Sequence, residues 1–371
     1  MSAEPGSKGA AEPVRPRKPA RKVALSRSAP LPDPEVRQRP QMADIARLAG
    51  VSVATVSRAL NGSEEISQST RERIGALARS LNYTINVGAK NLRTKRNRTV
   101  AVVIPYDRQS RQHVSDPFFL AMLGSLADAL TDSGFDLLLS RVDADRLESA
   151  GQLYESGVAC GVILIGQWHH PEQLDRLAAR RVPLVVWGAE MPQQGYCSVG
   201  GDNVGGGLLA TQHLLARGCR RIVFMGDPSL PEVAQRLAGH HQALAAAGQD
   251  ADPALLLAVP FDSRQASAGL EALLRSGVRP DAVFACSDVL AMSAIQTLRG
   301  HHLSVPADVA VVGYDDIAWA AYADPPLTTV HQPIAEAGAA IVEALLAVVA
   351  GESVRSLTLP VRLVERASSA H

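Results

Sequence analysis

The chain has 371 residues, of which 46% are hydrophobic, 20% charged and only 4% aromatic, so it is long enough for two or three domains with cores filled by aliphatic side chains. Its net charge is zero, yet residues 1–99 hold 19 Lys/Arg against 8 Asp/Glu while residues 100–371 hold 18 against 29. A basic first quarter points to a polyanionic partner, and an acidic remainder argues against indiscriminate adhesion to it; with neither a run of about eighteen apolar residues nor an apolar signal-peptide centre, a membrane reading is excluded and the cytoplasm is the expected compartment.

Residues 1–40, rich in Pro, Ala, Arg and Lys, show no helical or strand period and read as a disordered basic tail. Attraction to phosphates and an inert leader ahead of a start near Met42 both fit it. Residues 42–81 predict three short helices. In the first, Ile45, Leu48 and Ala49 fall at i, i+3 and i+4 and form one apolar face. Gly50 suits the positive φ that ends it, Ser52 suits the N-cap of the second, and Asn61-Gly62 closes the segment as a turn. Ser67 can cap the third, whose stripe is Ile74, Leu77, Ala78 and Leu81.

Two short helices joined by a tight turn, with Ala46 and Ala49 allowing close approach, predict a helix-turn-helix. The second helix then offers Val53, Ala54, Thr55, Ser57 and Arg58 to a major groove. Arg58 can hold guanine O6 and N7 together, Val53 and Ala54 can only touch a thymine methyl, and Ser52, Thr55 and Ser57 suit phosphates.

Residues 85–98 read as a linker. From Thr99 the pattern becomes strand-then-helix, with apolar runs at Val100–Ile104, Leu137–Leu139, Val162–Ile165, Leu184–Trp187, Ile222–Met225, Ala282–Ala285 and Val309–Val312. Amphipathic segments such as Phe118–Thr131, Val204–Ala216, Ala266–Arg275 and Val289–Leu298 separate them. Continuous apolar strands alternating with helices predict parallel sheets buried on both faces, and this many suit two doubly wound lobes. The expected lobes are about 99–200 plus 331–356, and 201–330 plus a C-terminal strand.

Ligands of such folds lie beyond the carboxyl ends of the strands. Asp116-Pro117-Phe118-Phe119 follows the loop after the first strand, where the aromatics could face a sugar ring or the core. Trp187 ends the fourth run, and Trp319 follows Gly313–Ile317; both could be sugar platforms. The paired histidines His169-His170, His240-His241 and His301-His302 are adjacent, diverge on a helix and read as surface residues. Cys160, Cys197, Cys219 and Cys286 lie far apart and imply neither zinc nor disulfides. Gly200-Gly201 and Gly205-Gly206-Gly207 lack the dinucleotide spacing, and no nucleophile elbow or phosphate loop is present. No cofactor, metal or catalytic cluster is implied.

Several strings resemble the lactose/galactose repressor (LacI/GalR) family of transcriptional regulators. They are Asp44-Ile45-Ala46, Ala49-Gly50-Val51-Ser52, Thr55-Val56-Ser57-Arg58, Leu60-Asn61-Gly62, Thr70-Arg71 and Leu81-Asn82-Tyr83. In the body they continue with Asp202-Asn203, Arg236-Leu237-Ala238-Gly239, Ser287-Asp288, Val312-Gly313-Tyr314-Asp315-Asp316 and Pro325-Pro326-Leu327-Thr328-Thr329-Val330. The resemblance implies an all-α headpiece over residues 41–84, a hinge helix within 85–98, and an α/β core of the periplasmic-binding-protein type over 99–371. It implies a homodimer on double-stranded operator DNA and a small-molecule effector, a carbohydrate in the first instance. Ser52, Val53, Ala54, Thr55, Ser57, Arg58, Asn61 and Tyr83 fall on its DNA-binding headpiece. Asn86, Lys90 and Leu92 fall on the hinge, Leu92 as the wedge that kinks the minor groove. Arg236 matches a ligand-clamping arginine and Asp288 an acid that accepts ligand hydroxyls, so the expected ligand set is Phe118, Phe119, Trp187, Arg236, Asp288 and Trp319. Two departures stand out. Gln41 replaces the usual Thr cap, and Trp187-Gly188 occupies a place where an acid is common. The chain ends at His371 without a leucine-heptad helix, which favours a dimer over a tetramer.

The expected function is a transcriptional repressor whose operator affinity a ligand controls. A transport receptor needs an export signal, and an enzyme needs a catalytic cluster; activation instead of repression stays open.

Overall fold

The computed structural model describes residues 40–60, 62–81, 83, 97–107 and 113–370. It forms two compact units, divided near Val87 and Gly88. The tail 1–39 and most of the expected hinge lie outside the described residues, as do Asn61, Asn86, Lys90 and Leu92.

Among the described residues, the first unit contains three helices, α1 (Met42–Ala49), α2 (Val53–Leu60) and α3 (Gln68–Ser80). The α1 start is supported from the far side of its cap, where the Gln41 N–H donates to Asp44 Oδ2 at 2.9 Å. That bond holds the Asp44 carboxyl below its usual range. Gly50 leaves α1 at φ 64°, a backbone state that only glycine adopts without cost. Ser52 and Ser67 cap the next two helices by accepting from the Thr55 and Thr70 N–H groups. Ile45, Val56 and Ile74 are fully buried, closed in by Ala46, Ala49, Ala59 and Ala78, and each large side chain contributes about 1.5–3 kcal/mol by its burial. Leu48 departs from the expectation. It is 55% exposed, because the buried stripe runs through Ile45, Ala46 and Ala49 and Leu48 lies off its edge.

The second unit holds two six-stranded sheets. The first-lobe elements are β1 (Thr99–Tyr106), α4 (Pro117–Asp132), β2 (Asp136–Asp143), α5 (Gly151–Glu155), β3 (Gly161–Ile165), α6 (Pro171–Ala179), β4 (Leu184–Trp187) and β5 (Cys197–Gly201). Those of the second are α7 (Asn203–Ala216), β6 (Ile222–Met225), α8 (Pro231–Ala246), β7 (Leu256–Leu257), α9 (Ser263–Arg275), β8 (Ala282–Ala285), α10 (Asp288–Gly300), β9 (Ala310–Asp315) and β10 (Thr328–His331). The chain then returns through α11 (Ile334–Val349), which packs on α4 and on strands of the first sheet, and closes with β11 (Leu357–Leu359) and β12 (Arg362–Val364).

Strand order is β11-β5-β4-β3-β1-β2 in the first sheet and β12-β10-β9-β8-β6-β7 in the second. Every recorded pairing is parallel except β12 on β10. Both sheets reverse winding once, between β1 and β3 and between β6 and β8, and ligands of open parallel sheets lie beyond the carboxyl ends at such points. The C-terminus differs from the single strand expected for the second lobe. Pro360, which cannot donate to a ladder, separates β11 on the first sheet from β12 on the second. The short strands β5, β7 and β10 were not among the apolar runs, because CSVGG, LL and TTVH carry little apolar length.

One pair of histidines also departs from expectation. His240 is buried on the inner face of α8, with its ring 5.5 Å from Phe224 and its Nδ1 2.9 Å from Thr211 Oγ1, while His241 stays exposed. Positions 233, 236, 240 and 243 form the face of α8 that meets the core. Burial pushes the His240 imidazole down to about 4.

Candidate functional site

In the headpiece, α2 presents Val53, Ala54 and Arg58 to solvent. Ser52 and Thr55 share a hydroxyl–hydroxyl hydrogen bond of 2.9 Å, which orients both at the start of the helix. Arg58 Nη1 lies 3.6 Å from Glu65 Oε2, with both side chains largely in water. Such a pair is worth about 0–1 kcal/mol, so the guanidinium is easily given up to a stronger acceptor. Ser57 is corrected. It is only 3% exposed, since Val56, Ser57 and Ala59 turn toward the other helices, and it is not offered to a phosphate. Tyr83 packs on the headpiece core, with its N–H donating to the Ala78 carbonyl, and burial raises its phenol.

In the core, the carboxyl ends of both sheets converge on a cavity of about 90 Å³. Five of the chain's nine Phe and Trp residues line it: Phe118, Phe119, Trp168, Trp187 and Phe261. Concentrating rings here, in a chain so poor in them, marks the space as built for an apolar or ring-shaped face. Phe118 sits between Phe119 and Trp187, with centroids 5.7 and 6.2 Å away. Asp116 caps α4 by accepting from the Phe118 N–H, which fixes where the aromatic pair begins. Trp168, just beyond β3, has φ 52°, an uncommon backbone state for a large side chain.

Arg236, on α8, is the buried cation of the site. Its Nε donates to Asn203 Oδ1 at 2.9 Å and its Nη1 to the Cys286 carbonyl at 2.6 Å. The guanidinium lies 3.7 Å from the Tyr314 ring centroid. Three anchors hold the planar fork, and Nη2 is left without a protein partner among the described residues. Asp315 ends β9 at φ 113°, and its Oδ1 accepts from Gln332 Nε2 at 2.8 Å. Burial raises its carboxyl well above the usual range, against the pull of Arg236. Glu232, half-buried on the same wall, is also raised by burial. Cation, carboxylates, the Ser287 hydroxyl and the Gln332 amide converge between aromatic walls. That set can hold neighbouring hydroxyls of a polyol while a ring face rests on the aromatics.

Phe118, Phe119, Trp187 and Arg236 thus line one cavity. Asp288 and Trp319 do not, and both placements are corrected. Ser287 caps α10, so Asp288 turns back beneath the cavity wall. It is fully buried, accepting from Thr329 Oγ1 at 2.5 Å and from the Ile317 N–H at 2.8 Å, and burial pushes it up to about 7. Gly313 leaves it room, for a Cβ there would lie 2.3 Å from Asp288 Oδ1. Trp319 stands on an exposed 3₁₀ turn, Ala318–Tyr322, at the edge of a separate outer groove. Sequence reasoning missed Trp168, Ser287, Asp315 and Gln332. A usable signal existed for Ser287 and Asp315, which follow or end apolar strands inside strings already singled out. Among the described residues no group of three His, Cys, Asp or Glu is placed to hold a metal ion.

Comparison with known proteins adds to this geometry. The model for bacterial regulatory proteins of the lacI family matches residues 41–86, and that for a periplasmic binding protein-like domain matches residues 211–369. The HTH-type transcriptional regulator CelR of Thermobifida fusca is 36% identical over 338 residues, 89% of this chain and 96% of that protein. The ribose operon repressor of Haemophilus influenzae is 33% identical over 333 residues, 88% and 98% of the two. Among solved structures, a CelR–cellobiose complex aligns with a TM-score of 0.65 at 34% identity, over 89% of this chain and 100% of that one. A lac repressor dimer bound to operator and the anti-inducer ONPF aligns with a TM-score of 0.79 at 25% identity, over 90% and 100%.

Proposed function

The chain belongs to the lacI family of bacterial regulatory proteins, and on that premise we propose that it is a sequence-specific repressor whose operator affinity a small carbohydrate controls. The observation that carries this reading is the coexistence in one chain of a capped helix that exposes a weakly paired Arg58 and a ring-lined polar cavity between two lobes. Its relatives include regulators named for ribose and solved with cellobiose, and the cavity's chemistry suits that class. The protein acts as a regulator and not as a catalyst, as a homodimer on a two-fold operator in the cytoplasm.

Ser52 and Thr55 position the headpiece on phosphates, Val53 and Ala54 meet thymine methyls, and Arg58 reads guanine. Asn61, Tyr83, Asn86, Lys90 and Leu92 complete the interface on the strength of the resemblance. Phe118, Phe119, Trp187 and Arg236 hold the ligand, with Asp315 taking the role first given to Asp288. Binding closes the two lobes and changes how the paired hinges meet DNA. This requires the ligand to prefer one of the two conformations.

A gel-shift assay with DNA upstream of neighbouring genes tests the reading. The protein retards one such fragment, and one sugar from a thermal-shift screen changes that retardation. Arg58→Ala loses discrimination between operator and mismatched DNA, by about 1–3 kcal/mol, while keeping the core's sugar affinity. Unchanged discrimination, or a complex that no sugar alters, defeats the proposal.

A further inference from the structure

The cleft does not end at the cavity. Beyond Asp116 and Phe261, which line both spaces, a groove of about 800 Å³ runs outward past the start of α4 and along α9 and α10. Trp319 borders it with 64% of its surface exposed, and Val289 and Met292 of α10 continue the apolar strip. A large indole left in water beside an unfilled groove is an available ring platform. The polar lining includes Ser263, Ser267 and Gln296, which can donate and accept hydrogen bonds. Its charges favour carboxylate, with Asp116 and Asp262 against Arg264, Glu271 being ion-paired with Arg275. In the cavity Asp116 faces Arg236, while burial favours the neutral, hydrogen-bonding form of Glu232 and Asp315. The groove's acidic excess repels a phosphate or carboxylate on its way in, and its hydroxyls and amide accept an uncharged polyol.

We propose that the effector is a neutral saccharide of two or more rings, with one ring in the cavity and the next in the outer groove against Trp319. This rests on the reading of the cavity as a carbohydrate site. A single ring leaves the groove empty, and a sugar phosphate meets the carboxylates. Trp319 therefore sets the preference for chain length without touching the ring in the cavity.

Calorimetric titration of the full chain tests this with cellobiose, cellotriose, maltose, lactose, sucrose and trehalose, each beside its constituent monosaccharides, and with glucose 6-phosphate. At least one of the longer sugars binds on the order of tenfold more tightly than its constituents. Trp319→Ala removes that increment and leaves monosaccharide affinity unchanged, and Trp319→Phe keeps most of it. Equal affinity for a monosaccharide and every longer sugar containing it overturns the proposal, as does tightest binding by glucose 6-phosphate. So does Trp319→Ala that leaves the longer sugar untouched or weakens both sugars by the same factor. Each of these outcomes leaves the sugar-effector reading standing, whereas failure of every sugar to bind overturns both.

Discussion

The first lobe meets the cavity with Phe118, Phe119, Ile165, Trp168 and Trp187 and a single acid, Asp116, while the second meets it with Arg236, Glu232, Ser287 and Asp315 beside Leu230 and Phe261. Both lobes wind their strands in the same order, so the difference lies in what each fold must support. Rings need only neighbouring apolar groups, and the first lobe supplies them from one packed cluster around Phe118, Phe119 and Trp187 and from another around Trp168. A buried cation and buried carboxylates need hydrogen bonds on every free atom, or their desolvation is uncompensated. The second lobe accordingly carries a polar understructure. Asn203 and the Cys286 carbonyl hold Arg236, and Thr329 and the Ile317 N–H hold Asp288. The crossing of α7 and α8 places Arg236 beside Asn203, and glycine is required there. A Cβ on Gly239 would lie 2.0 Å from the Val204 carbonyl oxygen, and one on Gly207 2.0 Å from that of Arg236.

This contrast can be broken most directly at its cation. Arg236→Ala lowers affinity for the effector sugar by at least about 100-fold, about 3 kcal/mol, because Asp315 loses its counter-charge and the ligand its clamp. DNA binding persists, and calorimetry that returns wild-type affinity would remove Arg236 from the polar wall. The next largest effect is a pH dependence of the understructure. The folded state favours neutral His240, so as pH falls from 6.5 toward about 4 the unfolded chain takes up the proton first. The core then loses up to about 3 kcal/mol of stability, and none of this loss is present above the unfolded value. Urea midpoints at pH 7 and 4.5 fall less in His240→Gln than in wild type; equal falls exclude the residue.

A smaller effect separates support from contact. Thr329→Val leaves Asp288 Oδ1 without its hydroxyl and costs about 1–3 kcal/mol of core stability, yet sugar affinity stays within about twofold of wild type, since Asp288 lies beneath the wall. A parallel loss of affinity would return Asp288 to the ligand set. The smallest effect belongs to the aromatic wall. Phe118→Ala weakens sugar binding by about tenfold, near the worth of one ring contact. A loss as large as that at Arg236 would erase the distinction between the walls.

The headpiece was nearly all legible because its determinants are local. Caps, the Gly50 turn and the periodic apolar stripe act within four residues. The two failures there, exposed Leu48 and buried Ser57, concern which edge of a helix a neighbour covers, and periodicity fixes a face only to within a residue or so. In the core, apolar runs marked the long buried strands, the rule that ligands lie beyond strand ends pointed to Phe118 and Trp187, and the family resemblance pointed to Arg236; all three line the one cavity. The strand-end rule could not separate Ser287 from Asp288, which differ by one position and by opposite sides of a wall.

What the amino-acid order determined by itself was the helix-turn-helix, the alternation of strands and helices, and the placing of candidate side chains at strand ends. All of these follow from spacings of a few residues. Only the tertiary structure decided that Asp315 and not Asp288 faces the cavity, that His240 is buried while His241 is not, and that Trp319 borders an outer groove. Each of those outcomes depends on which distant segment covers a side chain, and residues far apart in the chain carry no local periodicity to record it.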